Sequence, residues 1–150
     1  MDYIYRFIHL HIFQVIGYGN ITQVKKYGRN ICDVAAAEGN IEILEWAESN
    51  MCLNTYFITF HASANNQIAV LVWIFSKGYG NIEQLGNGAA VGGHLELLLL
   101  ATLKGYLITC DTMHNAIING HYKVVEWLRK RGCPISYQDE KLRMICFSEY

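Results

Sequence analysis

The sequence contains little proline, little net charge and no long apolar run. One proline among 150 residues excludes collagen-like chains and proline-rich linkers. The net charge of −1 lacks the basic excess typical of a general nucleic-acid binder. The first apolar stretch, 3–16, contains Arg6, His9 and His11 and is shorter than the roughly 20 residues of a transmembrane helix. We therefore expect neither nucleic acid nor a membrane as a partner.

Patterns of catalytic and metal-binding residues are also missing. The five cysteines form no Cys-x-x-Cys pair, and an odd number in a chain of this size argues against a disulfide scaffold. This cysteine usage predicts an intracellular protein of the cytoplasm or nucleus. His9 and His11 lack the i, i+4 spacing of a helical metal pair, and the glycine-rich stretch 78–93 lacks the Gly-Lys-Ser/Thr ending of a phosphate loop. We expect no enzyme, no metal and no cofactor.

The sequence does contain an internal repeat with a period of 27 residues. The same spacing, without gaps, relates glycines, tryptophans and small residues in four successive copies. The glycine columns are Gly39, Asn66, Gly93 and Gly120, then Gly78, Gly105 and Gly132, and the tryptophan column is Trp46, Trp73, Leu100 and Trp127. Agreement at so many positions identifies a repeat protein.

Each copy predicts two helices, a short one rich in small residues and a longer one with apolar residues on one face. The short helices are expected at 31–38, 58–65, 85–92 and 112–119, and the long helices at 41–50, 68–77, 95–104 and 122–131. Because one such pair cannot bury its own apolar face, neighbouring pairs must share a core. The sequence therefore predicts an all-α stack.

We expect the whole chain, 1–150, to form one domain. An irregular cap unit at 1–30 precedes repeats at 31–57, 58–84, 85–111 and 112–138, and a cap helix follows at 139–150. The short helix of the third repeat contains Gly86 and Gly88. Glycine costs about 1 kcal/mol relative to alanine inside a helix, so this helix is expected to be the weakest element of the stack.

The repeat columns resemble those of the ankyrin repeat. The third copy matches as Ala89-Ala90, Gly93-His94-Leu95-Glu96 and Gly105, and the fourth as Ala116, Gly120-His121 and Gly132. The family period is about 33 residues, and the missing residues fall where the family forms β-hairpin fingers. The resemblance implies a solenoid of helix–turn–helix repeats with these fingers reduced or absent.

Trp127 and the ending Gly132-Cys133-Pro134 are similar to the short ankyrin repeats of giant DNA viruses of amoebae. The resemblance implies a viral protein that acts inside the host cell. It also implies a non-catalytic protein–protein interaction module whose partner is a protein. In ankyrin proteins the short helices line the binding face. The candidate residues of this first-helix face differ in every copy: Asp33, Phe60, His61, Asn87, His114 and Asn115.

A second candidate surface is an apolar patch on the long helices of the second and third repeats. It consists of Val72, Phe75, Leu99 and Leu103, where the first and fourth copies have mostly charged residues. Either the patch is an interface or the stretch 3–16 covers it. As an interface it favours an alternative function, a self-associating structural protein that forms a homodimer. Charges are segregated as well, with a net −5 over 30–50 and +3 over 121–132.

Overall fold

The computed structural model of the protein describes residues 31–51 and 53–133. Within this part the chain is all α-helical and contains no strand, as the repeat pattern predicts. The expected cap unit at 1–30, the cap helix at 139–150 and the end of the fourth repeat lie outside the described residues. The helices are α1 (31–38), α2 (Ile41–Ser49), α3 (Ile58–Ala64), α4 (Ile68–Ser76), α5 (Ile82–Gly92), α6 (Leu95–Leu103), α7 (Cys110–Ile118) and α8 (Tyr122–Lys130).

Three of the described helices, α2, α5 and α7, begin where a side chain binds a free backbone N–H group at the helix start. The Asn40 Oδ1 accepts a hydrogen bond from the Ile43 N–H at 3.1 Å, and Asn81 does the same for Gln84 at 2.9 Å. The Thr112 hydroxyl accepts a bond from the Thr109 N–H. Because of the last two caps, α5 and α7 start three and two residues earlier than expected.

Most helices end on a residue with positive φ, which glycine adopts without steric cost. The first helix of a pair (α1, α5 and α7 here) ends before Gly39 (φ 81°), Gly93 (73°) or Gly120 (73°). The backbone N–H of the residue after each of these glycines bonds to a carbonyl of the last helical turn. Two other residues take the same conformation, Asn66 (φ 55°) and Met51 (φ 54°). The 27-residue glycine columns are therefore helix-ending positions.

The first helices of successive pairs pack side by side. Helix α3 lies along α5 and α5 lies along α7, whereas contacts between the second helices are sparser. One buried apolar core runs through all the described pairs and includes Ala36, Leu44, Ile58, Ile74, Leu85, Leu98, Met113 and Leu128. Small residues of the first helices, such as Ala62, Ala89 and Ala116, are fully buried in this core.

Glycines in α5 serve this close packing. A Cβ atom at Gly88 would collide with the Ser63 hydroxyl and the Phe60 carbonyl oxygen of α3, and one at Gly86 would lie 2.6 Å from the Tyr106 ring. Helix propensity alone made α5 the expected weak element. In the fold α5 is the longest described helix, and it packs between α3 and α7 and against α6, contacts that helix propensity does not take into account. Gly86 and Gly88 have low helix propensity, but they allow close contacts that a larger residue would prevent.

Candidate interaction surfaces

A column of polar residues that begins the second helices links each repeat to the one before it. The Gln67 Nε2 donates a hydrogen bond to the Ala37 carbonyl at 2.9 Å. The His94 Nε2 lies 3.1 Å from the Ala64 carbonyl, and the His121 Nε2 lies 2.7 Å from the Val91 carbonyl. Because a carbonyl only accepts, each ring Nε2 carries the proton. These side chains satisfy the last carbonyl groups of the preceding first helix.

The predicted first-helix face contains an aromatic cluster at α3. The Phe60 and His61 rings meet edge to face with centroids 5.4 Å apart, and Phe57 lies 6.5 Å from Phe60 and 6.2 Å from His61. Tyr56 continues the cluster at 4.5 Å from Phe57. The exposed fraction is 67% for Tyr56 and 43% for Phe57. We call Tyr56, Phe57, Phe60 and His61 the aromatic cluster.

Asp33, on α1 of the preceding repeat, interacts electrostatically with His61 of this cluster. Partial burial raises the pKa of Asp33, and the Coulombic interaction with His61 lowers it. Of the predicted face residues, Phe60 and His61 are in ring contact, and Asp33 is within electrostatic range of His61. Tyr56 and Phe57 were not predicted because they precede the helix. The signal available in the sequence was a pair of adjacent aromatic residues directly before the short helix of the second repeat.

The other predicted residues of this face lie further along the row of first helices. The Asn87 Oδ1 accepts a hydrogen bond from the Tyr106 hydroxyl at 2.8 Å, and that hydroxyl also lies 2.6 Å from the Thr112 Oγ1. Asn87 thus takes part in a polar network that joins the third and fourth repeats. Burial raises the pKa of Tyr106, which keeps its hydroxyl protonated. His114 and Asn115 are half-buried on α7.

The predicted apolar patch is only partly exposed. Val72 and Leu103 are 64% and 85% exposed, whereas Phe75 and Leu99 are half-buried. The Phe75 ring packs over Gly80, where any Cβ atom would collide with it. Ile68 on α4 and Leu100 on α6 are exposed on the same helices and extend the apolar surface. The predicted cover, 3–16, lies outside the described residues.

The segregated charges lie on exposed faces of the outermost described helices. Glu42 and Glu45 are exposed on α2, and Lys123 and Arg129 are exposed on α8. The hydrogen bond to Lys130 at 2.8 Å lowers the pKa of Glu126. An ion pair joins α2 to the next repeat, since the Lys77 ammonium at the end of α4 lies 2.7 Å from the Glu48 carboxylate of α2. The hydrogen bond to Glu48 raises the pKa of Lys77.

Within residues 31–51 and 53–133, no three His, Cys, Asp or Glu side chains come together as a metal-ligand group. No helix of that part is both long enough and apolar enough to cross a membrane. The exposed features are therefore the first-helix face with its aromatic cluster, the apolar patch and the two charged helices.

No protein-family model, no curated protein and no solved structure matches the chain. The resemblance to ankyrin repeats thus depends on the sequence columns, and it stays a prediction.

Proposed function

We propose that the protein is a non-catalytic protein-binding module, built as a solenoid of ankyrin-like helix pairs with the fingers reduced to loops. The 27-residue spacing and the side-by-side first helices support this arrangement. The connections 77–81 and 104–109 contain no strand. The module acts inside a cell, in the cytoplasm or nucleus, and in a host cell if its resemblance to viral repeats holds.

The observation that carries the proposal is the aromatic cluster on the first-helix face. Tyrosine and other large aromatic side chains often dominate the energetics of protein interfaces. Here Tyr56 and Phe57 present exposed rings. The Phe57 ring contacts Phe60 and His61, and the Tyr56 ring contacts Phe57. Because the supporting helices are already ordered by the shared core, little further ordering is needed when a partner binds.

Affinity enrichment from amoebal cell extract tests the proposed face. The wild-type chain is compared with Tyr56→Ser/Phe57→Ser and with the control Val72→Ser/Leu103→Ser, which removes two exposed apolar residues from the second helices. We expect the recovered amount of the proteins enriched by the wild type to fall at least about tenfold with the first variant. With the control variant we expect the recovered amount to stay the same. Enrichment that survives the first variant would overturn the assignment of this face. Circular dichroism confirms that each variant is folded.

Self-association is the second candidate function. The high exposed fractions of the apolar Val72 and Leu103 side chains favour it. The charges on α2 and α8 would select how two copies are oriented.

A further inference from the structure

The second helices present equivalent positions to solvent at intervals of 27 residues. We call these solvent-facing positions of α2, α4, α6 and α8 the outer face. At its first-repeat end α2 presents Glu42 and Glu45, and at its fourth-repeat end α8 presents Lys123 and Arg129. The acidic side chain of α8, Glu126, is paired with Lys130, so this helix stays net positive.

The middle of the outer face is apolar. Helix α4 contains no charged residue, and α6 contains Glu96 alone. Exposed apolar side chains in this region include Val72 and Leu103, with Ile68 and Leu100 on the same helices, and Glu96 is exposed on α6. Along the repeats the outer face is therefore acidic, apolar, apolar and basic, in that order.

This order is self-complementary. When two identical surfaces meet, the two-fold axis lies in the plane of contact. An axis parallel to the helices reverses the repeat order, so that α2 of one copy lies over α8 of the second copy and α4 lies over α6. Acidic residues then face basic ones at both ends, and apolar residues meet in the middle. An axis perpendicular to the helices would instead place α2 on α2 and α8 on α8, which like charges disfavour.

We infer that the outer face binds a second copy of the chain with the repeat order reversed. The apolar middle provides contact area, and the charged ends select the orientation. Glu42 and Glu45 of one copy lie at the same end as Lys123 and Arg129 of the second copy. At physiological salt, exposed charges are screened beyond a Debye length of about 8 Å. The long basic side chains can bring their charges within this distance of the glutamates of the second copy. This association uses a different surface from the proposed partner site and does not depend on it.

Sedimentation equilibrium of the whole chain with two charge-reversed variants tests this inference. Variant one is Glu42→Lys/Glu45→Lys, and variant two is Lys123→Glu/Arg129→Glu. Alone, each variant would place like charges at both ends of the dimer. We therefore expect the dissociation constant of the dimer to rise at least about tenfold. Mixed in equal amounts, the two variants regain opposite charges at both ends and form a heterodimer. The control Glu38→Lys/Glu83→Lys makes the same change in net charge as variant one, on exposed residues of the first helices.

Three further results would overturn the inference. A wild-type chain that stays monomeric from about 1 to about 100 µM would exclude a second copy as the occupant. A dimer that Val72→Ser/Leu103→Ser dissociates and neither charge variant weakens would exclude the reversed order. A dimer weakened by both charge variants without recovery in the mixture would exclude pairing between the two ends. Higher salt is expected to weaken the wild-type dimer.

Discussion

The imidazole Nε2 of His121 donates a hydrogen bond to the carbonyl oxygen of Val91, 2.7 Å away and 30 residues earlier in the chain. His94 and Gln67 make the same bond to Ala64 and Ala37 at the same separation. The bond therefore recurs with the repeat, although the residue type changes from glutamine to histidine. Each instance satisfies a helix-terminal carbonyl and joins two neighbouring helix pairs.

Removing this link should destabilise the chain. We expect His121→Ala to lower the free energy of unfolding by about 1–2 kcal/mol, because the Val91 carbonyl loses its partner. His121→Gln should retain most of the stability, since Gln67 makes the equivalent bond in another repeat. Urea unfolding followed by circular dichroism measures both, with the exposed Lys123→Ala as control. Equal losses for the alanine and glutamine variants would show that the hydrogen bond does not matter.

Gly88→Ala should destabilise the chain, although alanine ordinarily stabilises a helix relative to glycine. An exposed helical glycine changed to alanine gains about 1 kcal/mol. At Gly88 the new Cβ would collide with the Ser63 hydroxyl and with the backbone carbonyl of Phe60. We expect a loss of about 1–3 kcal/mol in urea unfolding. Because the Phe60 carbonyl cannot be trimmed away, adding Ser63→Ala should recover only part of the loss. A stability gain from Gly88→Ala would contradict the close packing of α3 and α5.

Glycine should stabilise the chain where other residues take positive φ. Met51 has φ 54° and is exposed, so Met51→Gly removes backbone strain without removing packing. We expect a gain of about 0.5–1 kcal/mol, and a smaller gain for Asn66→Gly because asparagine tolerates this conformation. The reverse change, Gly78→Ala, should cost about 1 kcal/mol from conformation alone, since no atom lies within 4 Å of its Cβ position. Thermal or urea unfolding of the three variants is the measurement. A loss of stability in Met51→Gly would contradict the assigned strain.

Asp33 should make stability depend on pH. Burial raises the pKa of Asp33 in the folded chain above its ordinary value of 3.8, so the folded state binds this proton more tightly than the unfolded state. The contribution of Asp33 to stability therefore falls as the pH rises from 3.8 through the folded pKa. Asp33→Asn should be more stable than the wild type at pH 7, and the difference should shrink below pH 3.8. The control Glu45→Gln removes one exposed negative charge and should not show this gain. An Asp33→Asn variant less stable than the wild type at pH 7 would contradict the burial effect.

The helices could be predicted well because the 27-residue repeat occurs in four copies, so each position of a helix pair is seen in four residues. The second helices start at the expected residues, 41, 68, 95 and 122. The starts of α5 and α7 were placed too late because the prediction used the same repeat positions, 85 and 112, in every copy. Asn81 with Gln84 three residues later fits an N-cap signature that precedes those positions.

The sites were harder to predict, because contacts between repeats decide them. The first-helix face was inferred from residues that vary between copies, and of these Phe60 and His61 are in ring contact while Asp33 interacts electrostatically with His61. The role of Gly88 could not be inferred, because helix propensity is a local property and the close approach of α3 is not. The partner carbonyls of His94 and His121 lie 30 residues away and become visible only after folding.

Hydrogen exchange of the intact chain most directly tests the central claim, that the helix pairs form one continuous stack packed through their first helices. Helix α5 lies between α3 and α7, whereas α8 exposes one side to solvent. We predict that the amides of α5 exchange more slowly than those of α8, despite Gly86 and Gly88. Faster exchange in α5 than in α8 would contradict the account, because local helix propensity would then outweigh the packing between repeats.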